Sequence, residues 1–248
     1  MKIMTLNLNW YEAKHGAWPI RQELIAQVVC DHAPDVIALQ AVRKDPTVEE
    51  GADQATQLSK TLSEYKHVVF VPGTEHGRGK QDGSGWLSRE PFEQLDHQLL
   101  PLGSQPGRVP EDPAVRLVLY ARVGSISLFN CHFSWVHSQG VQNLDAALPF
   151  FRHFPGPQLL VGDFNATPDS DLIGQLSSEG WTDVWANRRP NEPGYTFESQ
   201  APDKRIDYVW ASREALPAIQ AIDVVTAPPN PSHAGLSDHL GLIVTLND

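Results

Sequence analysis

The sequence has few cysteines: among its 248 residues, only Cys30 and Cys131 carry a thiol. Both lie inside apolar segments, and the two do not show the spacing of metal ligands. This excludes a disulfide-rich secreted scaffold and a zinc module built on cysteines. We expect both residues to be buried free thiols in a protein of the reducing cytoplasm.

Long apolar segments are also absent. No run approaches the roughly 18 apolar residues that a membrane-spanning helix requires. Residues 1–7 alternate between apolar and polar side chains like a strand, and they lack the apolar core of a signal peptide. We therefore expect neither a membrane span nor a cleaved leader, in agreement with a cytoplasmic location.

Basic residues are scarce relative to acidic ones. The 19 Lys and Arg residues are opposed by 30 Asp and Glu residues, for a formal net charge of −11. No basic run is longer than the two residues of Arg188–Arg189. Proteins that bind nucleic acid over a broad surface usually present a basic face, so a nucleic-acid partner is possible but not favoured. Because acidic residues that hold a metal contribute to the same charge, a nuclease stays open.

The composition, with 41% apolar and 20% charged residues, is that of a globular protein with a sizeable core. Branched and aromatic residues predict strands at 2–8, 35–41, 66–71, 84–88, 115–122, 125–131, 157–162, 206–210 and 240–246. Helical spacing predicts helices at 19–32, 51–64, 138–152 and 169–179. This alternation predicts an α/β protein with mixed sheets. Two segments rich in Gly, Pro and polar residues, 72–83 and 101–114, are predicted loops at the rim of a site.

Polar residues recur at the ends of the predicted strands. Asp163 and Asn165 follow an apolar strand that ends at Gly162, where the missing side chain permits a tight turn. Two residues apart in an extended chain, their side chains point to the same side. Further polar residues at strand ends are Asn7, His132, Asp207, Asp238 and His239. Because these lie near both ends of the chain, a shared site requires a single domain covering residues 1–248.

Four segments, in this order along the chain, resemble the signature of the endonuclease/exonuclease/phosphatase superfamily: Thr5-Leu6-Asn7, Gly162-Asp163-Phe164-Asn165-Ala166, Arg205-Ile206-Asp207-Tyr208 and Ser237-Asp238-His239. The superfamily includes deoxyribonuclease I, exonuclease III, sphingomyelinases and inositol-polyphosphate 5-phosphatases. The resemblance implies a four-layer α/β/β/α sandwich of two packed mixed sheets flanked by helices. It also implies a phosphoester hydrolase that uses Mg²⁺ or Mn²⁺ and an in-line attack of water on phosphorus.

The same resemblance implies a role for each polar residue. His239 is the general base, and Asp207 or Asp238 orients its imidazole. Asp163 positions the attacking water or the leaving group. Asn165 donates to a phosphate oxygen, and His132 donates to the scissile phosphate. Among the metal ligands, the resemblance places Asp238 and Asn7.

Several of these residues also have an ordinary structural interpretation. Asp163 and Asn165 can form an Asx turn that caps the helix after Pro168. The aromatic residues in loops near the predicted site can pack in the core or on the surface, or they can form a wall that grips a base, lipid or ring. These residues are Trp10, Tyr11, Trp18 and Trp135, of which Trp10 and Trp135 are our substrate-binding candidates.

Position 41 departs from the family pattern. Residues 38–43 read Ala-Leu-Gln-Ala-Val-Arg, and a Glu that holds the metal stands in the family where this chain has Ala41. An alanine has no oxygen for a metal, so we expect an impaired enzyme. We favour an introduced substitution that silences turnover, because the other site residues are intact. A natural non-catalytic relative is the alternative, and a nearby acid, Asp45 or Glu49, that compensates is a third possibility.

The substrate is open at this level, since related sites serve unrelated substrates. We rank a small or lipid-like phosphoester first, because the chain is acidic and shows no basic groove. The alternative is a DNA or RNA endo- or exonuclease, and an alternative of another class is a non-catalytic module that binds phosphoesters. We expect a monomer.

Overall fold

The fold is described by a computed structural model, which covers residues 1–103 and 111–247. In this part of the chain the strands are β1 (Lys2–Asn7), β2 (Val36–Lys44), β3 (His67–His76), β4 (Lys80–Ser88), β5 (Gln94–Leu99), β6 (Leu117–Val123), β7 (Ile126–His132), β8 (Gln158–Asp163), β9 (Thr182–Asp183), β10 (Asp207–Ala211), β11 (Ile219–Val225) and β12 (Gly241–Leu246). The helices are α1 (Trp18–His32), α2 (Gln54–Thr61), α3 (His137–His153), α4 (Asp171–Ser178) and α5 (Val184–Arg188).

The strands form two six-stranded sheets of mixed direction. The first sheet has the order β11-β12-β1-β2-β4-β3, and the second has the order β5-β6-β7-β8-β10-β9. In the first sheet, β1 lies between the carboxy-terminal strand β12, which is antiparallel to it, and β2, which is parallel to it. Both ends of the chain therefore lie in the middle of one sheet.

Three apolar clusters separate four layers. The inner cluster joins the facing sides of the two sheets through residues such as Val36, Trp86 and Leu128. A second cluster packs α1 and α2 on the outer side of the first sheet, and a third packs α3 and α4 on the outer side of the second. The predicted sandwich of two packed mixed sheets flanked by helices is confirmed.

The two sheets are also joined by a buried polar link next to the predicted site. Asn130 of β7 donates from Nδ2 to the carbonyl oxygens of Leu39 and Gly85, each at 3.0 Å, and accepts from Gln40 Nε2 at 2.7 Å. These carbonyls lie beside a β-bulge, where the pairing of β2 with β4 shifts between Leu39 and Val42. The link satisfies polar groups that would otherwise be costly to bury, and it fixes the position of one sheet on the other.

Some predictions were wrong. The predicted loop 72–83 is a hairpin, in which β3 and β4 continue on either side of a turn at Gly77–Gly79. Cys30 is exposed near the end of α1, whereas Cys131 is buried as expected. The strands β5, β9 and β11 and the helix α5 were not predicted. Of the predicted loop 101–114, residues 104–110 lie outside the described residues, and the rest has neither helix nor strand.

Within the described ranges, every helix is too short or too polar to cross a lipid bilayer.

Candidate active site

Strands from both sheets end at the same place. Asp163 ends β8, and the strand pairing places it opposite His132 at the end of β7 and opposite Asp207 at the start of β10. Asn7 is the last residue of β1 in the other sheet, and His239 lies just before β12. Because the sheets pack face to face, these polar side chains from distant parts of the sequence come together in a buried cluster.

Asp163 is the centre of this cluster. Its Oδ2 accepts hydrogen bonds from Asn7 Nδ2 at 2.8 Å and from Asn165 Nδ2 at 3.1 Å, and its Oδ1 accepts from the backbone N–H of Asn165 at 2.8 Å. The last bond is an Asx turn, so this part of the structural interpretation of the motif also holds. The helix that follows is instead capped by Ser170.

Asn165 holds Asp163 in place. Its Nδ2 also donates to the carbonyl oxygen of Phe133 at 3.0 Å, so both hydrogens of its amide group are engaged. The predicted donation from Asn165 to a phosphate oxygen would therefore require one of these two hydrogen bonds to break.

His239 is oriented by Asp207. Its Nδ1 donates to Asp207 Oδ2 at 2.8 Å, and its Nε2 lies 3.8 Å from Asp163 Oδ2 and 3.9 Å from Asp238 Oδ1. Burial alone would lower the pKa of His239, but the charges of Asp207, Asp163 and Asp238 outweigh it and raise the pKa to about 10. Without a cation the imidazole is therefore protonated. A bound cation would offset the charge of these carboxylates, and His239, held by Asp207 on one nitrogen and open on the other, could then act as a general base.

The buried carboxylates fit a divalent cation. Ligand atoms of Asp163, Asp207 and His239 lie within 4.8 Å of one another. Burial raises the pKa of the Asp163 carboxyl, the charge of His239 lowers it, and the charge of Asp207 raises it again, so that it stays above its usual range. A cation would relieve this crowding of negative charge, and carboxylate and amide oxygens are the donors that Mg²⁺ and Mn²⁺ prefer.

The two predicted metal ligands that are present lie at the edge of this cluster. Asp238 is partly exposed, and its Oδ1 accepts from Ser237 Oγ at 2.9 Å. Asn7 points its amide nitrogen at Asp163, and its Oδ1 accepts from the backbone N–H of Asn9 at 2.8 Å. Each keeps an oxygen lone pair that these hydrogen bonds leave free.

Ala41 borders the same site. It lies in the bulge of β2 with a φ of +49°, in the left-handed region that residues with a Cβ rarely adopt. Its carbonyl oxygen accepts from the backbone N–H of Trp10 at 3.0 Å. Ala41 lines a narrow, open cleft together with Trp10, Arg116 and His132. Position 41 therefore presents no more than a methyl group to this cleft.

The acids that were considered as substitutes for a carboxylate at position 41 are placed elsewhere. Asp45 binds Lys80 Nζ at 2.6 Å and Thr47 Oγ1 at 2.7 Å, and the hydrogen bond from Lys80 is the main reason why its pKa falls to about 2. Glu49 is exposed in the turn of 3₁₀-helix at Glu49–Gly51.

His132 faces an arginine. Arg116 Nη1 lies 2.6 Å from His132 Nε2 and 3.3 Å from its Nδ1, and His132 Nε2 lies 3.6 Å from Asp163 Oδ2. Burial lowers the pKa of His132 well below its ordinary value, and the charges of Arg116 and His239 lower it further. The imidazole is thus neutral. Because a guanidinium can only donate, the nitrogen that faces it must accept.

The two tryptophans predicted to bind substrate line different clefts. Trp135 is 53% exposed and borders an open cleft, whose other walls include Asn165, Phe197 and Lys204. The ring of Phe197 packs on His239 with centroids 5.0 Å apart, so this cleft adjoins the candidate base. Trp10 lines the first cleft, beside Ala41.

The other two aromatic candidates pack against each other. Trp18 is buried, and its ring meets that of Tyr11 edge to face at 5.9 Å.

Arg116 and Asp112 lie beside the candidate site, but no motif in the sequence marks them. Arg116 precedes β6, and Asp112 falls in the predicted loop 101–114. The one signal in the sequence is an arginine at the head of an apolar strand, and such arginines are more often exposed than buried. Their proximity to His132 follows from the pairing of Leu117 with His132, which is a tertiary feature.

Comparisons with known proteins agree with this geometry. The profile of the Endonuclease/Exonuclease/phosphatase family matches residues 4–239. Nocturnin from Xenopus laevis is 22% identical over 253 aligned positions, which cover 91% of this chain and 64% of nocturnin, so the chain spans less than two thirds of that relative.

Two solved structures show the same fold. A mannosyl-6-phosphatase from Bacteroides thetaiotaomicron superposes with a TM-score of 0.74 at 16% identity, and 100% of each chain is covered. The 3' phosphatase NExo from Neisseria, bound to a product DNA hairpin, superposes with a TM-score of 0.69 at 21% identity, again over 100% of each chain. Because the family profile matches nearly the whole length of this chain, the chain belongs to the endonuclease/exonuclease/phosphatase family.

Proposed function

We propose that this chain is a divalent-metal-dependent phosphoric ester hydrolase in which water attacks phosphorus in line. The observation that supports this most is the convergence of Asn7, Asp163, Asp207 and His239, which come from four separate strand ends. Members of its family are hydrolases that act on phosphoesters. A buried His–Asp pair beside a second carboxylate is suited to remove a proton from water.

Each residue has a part in this proposal. His239 takes the proton of the attacking water at Nε2, and Asp207 holds the imidazole through Nδ1 and stabilises its charged form. Asp163 accepts a hydrogen bond from the water and so orients it. Asn7 and Asn165 fix the Asp163 carboxylate by donating to Oδ2. Loss of either amide would leave that carboxylate less firmly placed.

For the cation we propose Mg²⁺ or Mn²⁺. Asp238 and Asn7, next to Asp163, would hold it through carboxylate and amide oxygens. When bound, the ion supplies positive charge that neutralises the phosphate and the leaving oxygen. The chain itself supplies the buried carboxylates that attract the ion and the packing that keeps bulk water away.

We further propose that Ala41 impairs this activity, since it presents a methyl group to the cleft where the family pattern has a carboxylate. Replacing Ala41 by Glu would add a hard ligand at a position that borders His132 and Arg116. The activity that we expect of this protein is the same whether Ala41 was introduced or is natural.

The test is the hydrolysis of a bis-aryl phosphate in Mg²⁺ or Mn²⁺ by this chain and by Ala41→Glu. We expect the variant to be faster by about two orders of magnitude, as when a preorganised electrostatic group is gained. The double variant Ala41→Glu, His239→Gln serves as a control and should lose the gain. Equal rates for the chain and Ala41→Glu would contradict the role of position 41.

As the substrate we propose a small or lipid-like phosphoester. The net charge of −11 disfavours a polyanion, and the cleft at Trp135, Phe197 and Lys204 offers aromatic walls and one cation for a leaving group. A nuclease is the second candidate, because NExo, with the same fold, was solved with a DNA hairpin. Phosphoester binding without turnover, even in Ala41→Glu, would instead indicate a binding module.

We also propose that residues 1–248 act as one domain and as a monomer, since the candidate site draws on both ends of one chain. Cys30 and Cys131 are free thiols, which supports a reducing compartment such as the cytoplasm.

A further inference from the structure

A buried arginine stands beside the candidate active site, and the proposed mechanism does not use it. Arg116 lies at the head of β6, next to Leu117, which pairs with His132. The residue is 8% exposed. A buried guanidinium is expensive unless it is paired and hydrogen-bonded, so its position calls for a physical reason.

Asp112 holds this guanidinium from one side. Its Oδ2 accepts from Arg116 Nε at 3.0 Å and from Nη2 at 2.8 Å, and it also accepts from Ser134 Oγ at 2.7 Å. The backbone N–H of Asp112 donates to Gln139 in helix α3 at 3.1 Å. The carboxylate is itself buried, at 2% exposure, and thus fixes the orientation of the arginine.

The other side of the guanidinium faces the cleft that contains Ala41. Arg116 is one of the residues that line this cleft, and Asp112 is not. Of the five N–H groups of an arginine, two bind Asp112 and one binds His132. The remaining two have no protein partner among residues 1–103 and 111–247, so they are available to a ligand.

The contact with His132 shows which of the two groups can donate. Arg116 Nη1 lies 2.6 Å from His132 Nε2, and an arginine has no acceptor. That imidazole nitrogen therefore accepts, and it cannot donate to a phosphate while the contact lasts. The proton of the neutral imidazole is then on Nδ1, and the free N–H groups of the guanidinium are the charged donors that can point into the cleft.

We propose that Arg116 is a direct ligand of the substrate phosphate, donating its two free N–H groups to non-bridging oxygens in the cleft between Ala41 and His132. This inference rests on the proposed phosphoester hydrolysis and adds its anion-binding residue. The planar fork of an arginine matches phosphate oxygens in pairs, and the ion pair with Asp112 orients it before substrate arrives.

The residue at position 41 affects this anion site. With alanine there, position 41 adds no carboxylate, and the Asp82 carboxylate that also lines the cleft is paired with Arg43 and His76. Inorganic phosphate should therefore bind to the metal-free protein. With Ala41→Glu, a negative charge enters the same cleft. Without a cation it should weaken phosphate binding, because like charges repel across a short distance.

The test is calorimetric titration of the chain with inorganic phosphate in EDTA. We expect measurable binding that weakens at least about tenfold in Arg116→Met, as the loss of charge-assisted hydrogen bonds implies. Arg122→Met, on the same strand with a half-exposed side chain near Glu93, is the matched control and should bind like the unchanged chain. Ala41→Glu in EDTA should bind phosphate several times more weakly.

Thermal unfolding shows whether Arg116→Met is folded. If it is not, Arg116→Lys decides, because lysine keeps the charge beside Asp112 but loses the fork. We expect several-fold weaker binding in Arg116→Lys. Unchanged affinity in the folded variant, or no phosphate binding by the unchanged chain in EDTA, would overturn the proposal.

The outcomes for the two proposals are distinguishable. If phosphate binding depends on Arg116 but Ala41→Glu hydrolyses no phosphoester, the proposed hydrolysis fails and the anion site stands. If Ala41→Glu is active and phosphate binding is indifferent to Arg116, the hydrolysis stands and this inference fails.

Discussion

At the scale of single residues, one buried carboxylate organises the site. Asp163 accepts from Asn7 and Asn165 and lies 3.8 Å from His239 Nε2. These residues were predicted from short motifs, because each motif places a polar side chain at or next to the end of a strand. Arg116 was not predicted, because nothing near it in sequence indicates that its charge is buried against His132.

The charge of His239 supports a prediction for the metal-free protein. Its pKa is raised to about 10 in the folded state, above the ordinary value of 6.5. A raised pKa adds stability that is complete below pH 6.5 and is lost as the pH rises through about 10. The raised pKa of Asp163 acts in the same direction, since its ionisation in the folded state is unfavourable.

We therefore expect the melting temperature in EDTA to fall as the pH rises from 6.5 to 10, and to fall less steeply in His239→Gln. Thermal unfolding across this range measures both slopes. Identical slopes for the two proteins would show that His239 does not carry the extra charge.

At the scale of elements, the glycines of segment 72–83 were wrongly interpreted as marking a loop, whereas Gly162 was correctly interpreted as marking the end of a strand. The segment 72–83 was predicted to be a loop because of its glycines, but it lies in the hairpin of β3 and β4. A Cβ at Gly73 would lie 2.2 Å from the carbonyl oxygen of Val115, and one at Gly83 would lie 2.0 Å from that of Val71. These glycines allow close backbone approach within strands, which composition does not distinguish from a loop.

The strands that were not predicted were missed for a different reason. β5, β9 and β11 are edge strands, each at an end of its sheet. The residues of β5 are mostly exposed, so its sequence lacks the apolar pattern of the central strands. The inner strands, which carry the site residues, were predicted because both of their faces are buried.

Gly162 provides the prediction at this scale. Its φ is +131°, and a Cβ would lie 2.1 Å from the carbonyl oxygen of Cys131 in the neighbouring strand. We expect Gly162→Ala to lower the free energy of unfolding by about 3 kcal/mol or more and to displace Asp163. Urea unfolding measures the loss.

Gly174→Ala is the matched control for Gly162→Ala. It lies on the exposed side of helix α4 with nothing within 4 Å of an added Cβ, and it should gain about 0.5–1 kcal/mol. Similar effects of the two substitutions would contradict the steric role of Gly162.

At the scale of the whole molecule, the site exists because two sheets bring the two ends of the chain together. β1 and β12 pair in one sheet, β8 and β10 pair in the other, and Asn130 bridges between the sheets. The layered fold was predicted from the resemblance and from the alternation of strands and helices. The two clefts and the partners of Arg116 depend on packing between the sheets, which no local pattern encodes.

The most direct test is to locate the cation by anomalous scattering in crystals of this chain soaked with excess Mn²⁺. We predict an Mn²⁺ peak bounded by oxygens of Asp238 and Asn7, next to Asp163, with open coordination towards Ala41. In crystals of Ala41→Glu the same peak should have higher occupancy. A peak only at other residues, with Asn7, Asp163 and His239 unaffected, would contradict a cation-supported phosphoesterase site.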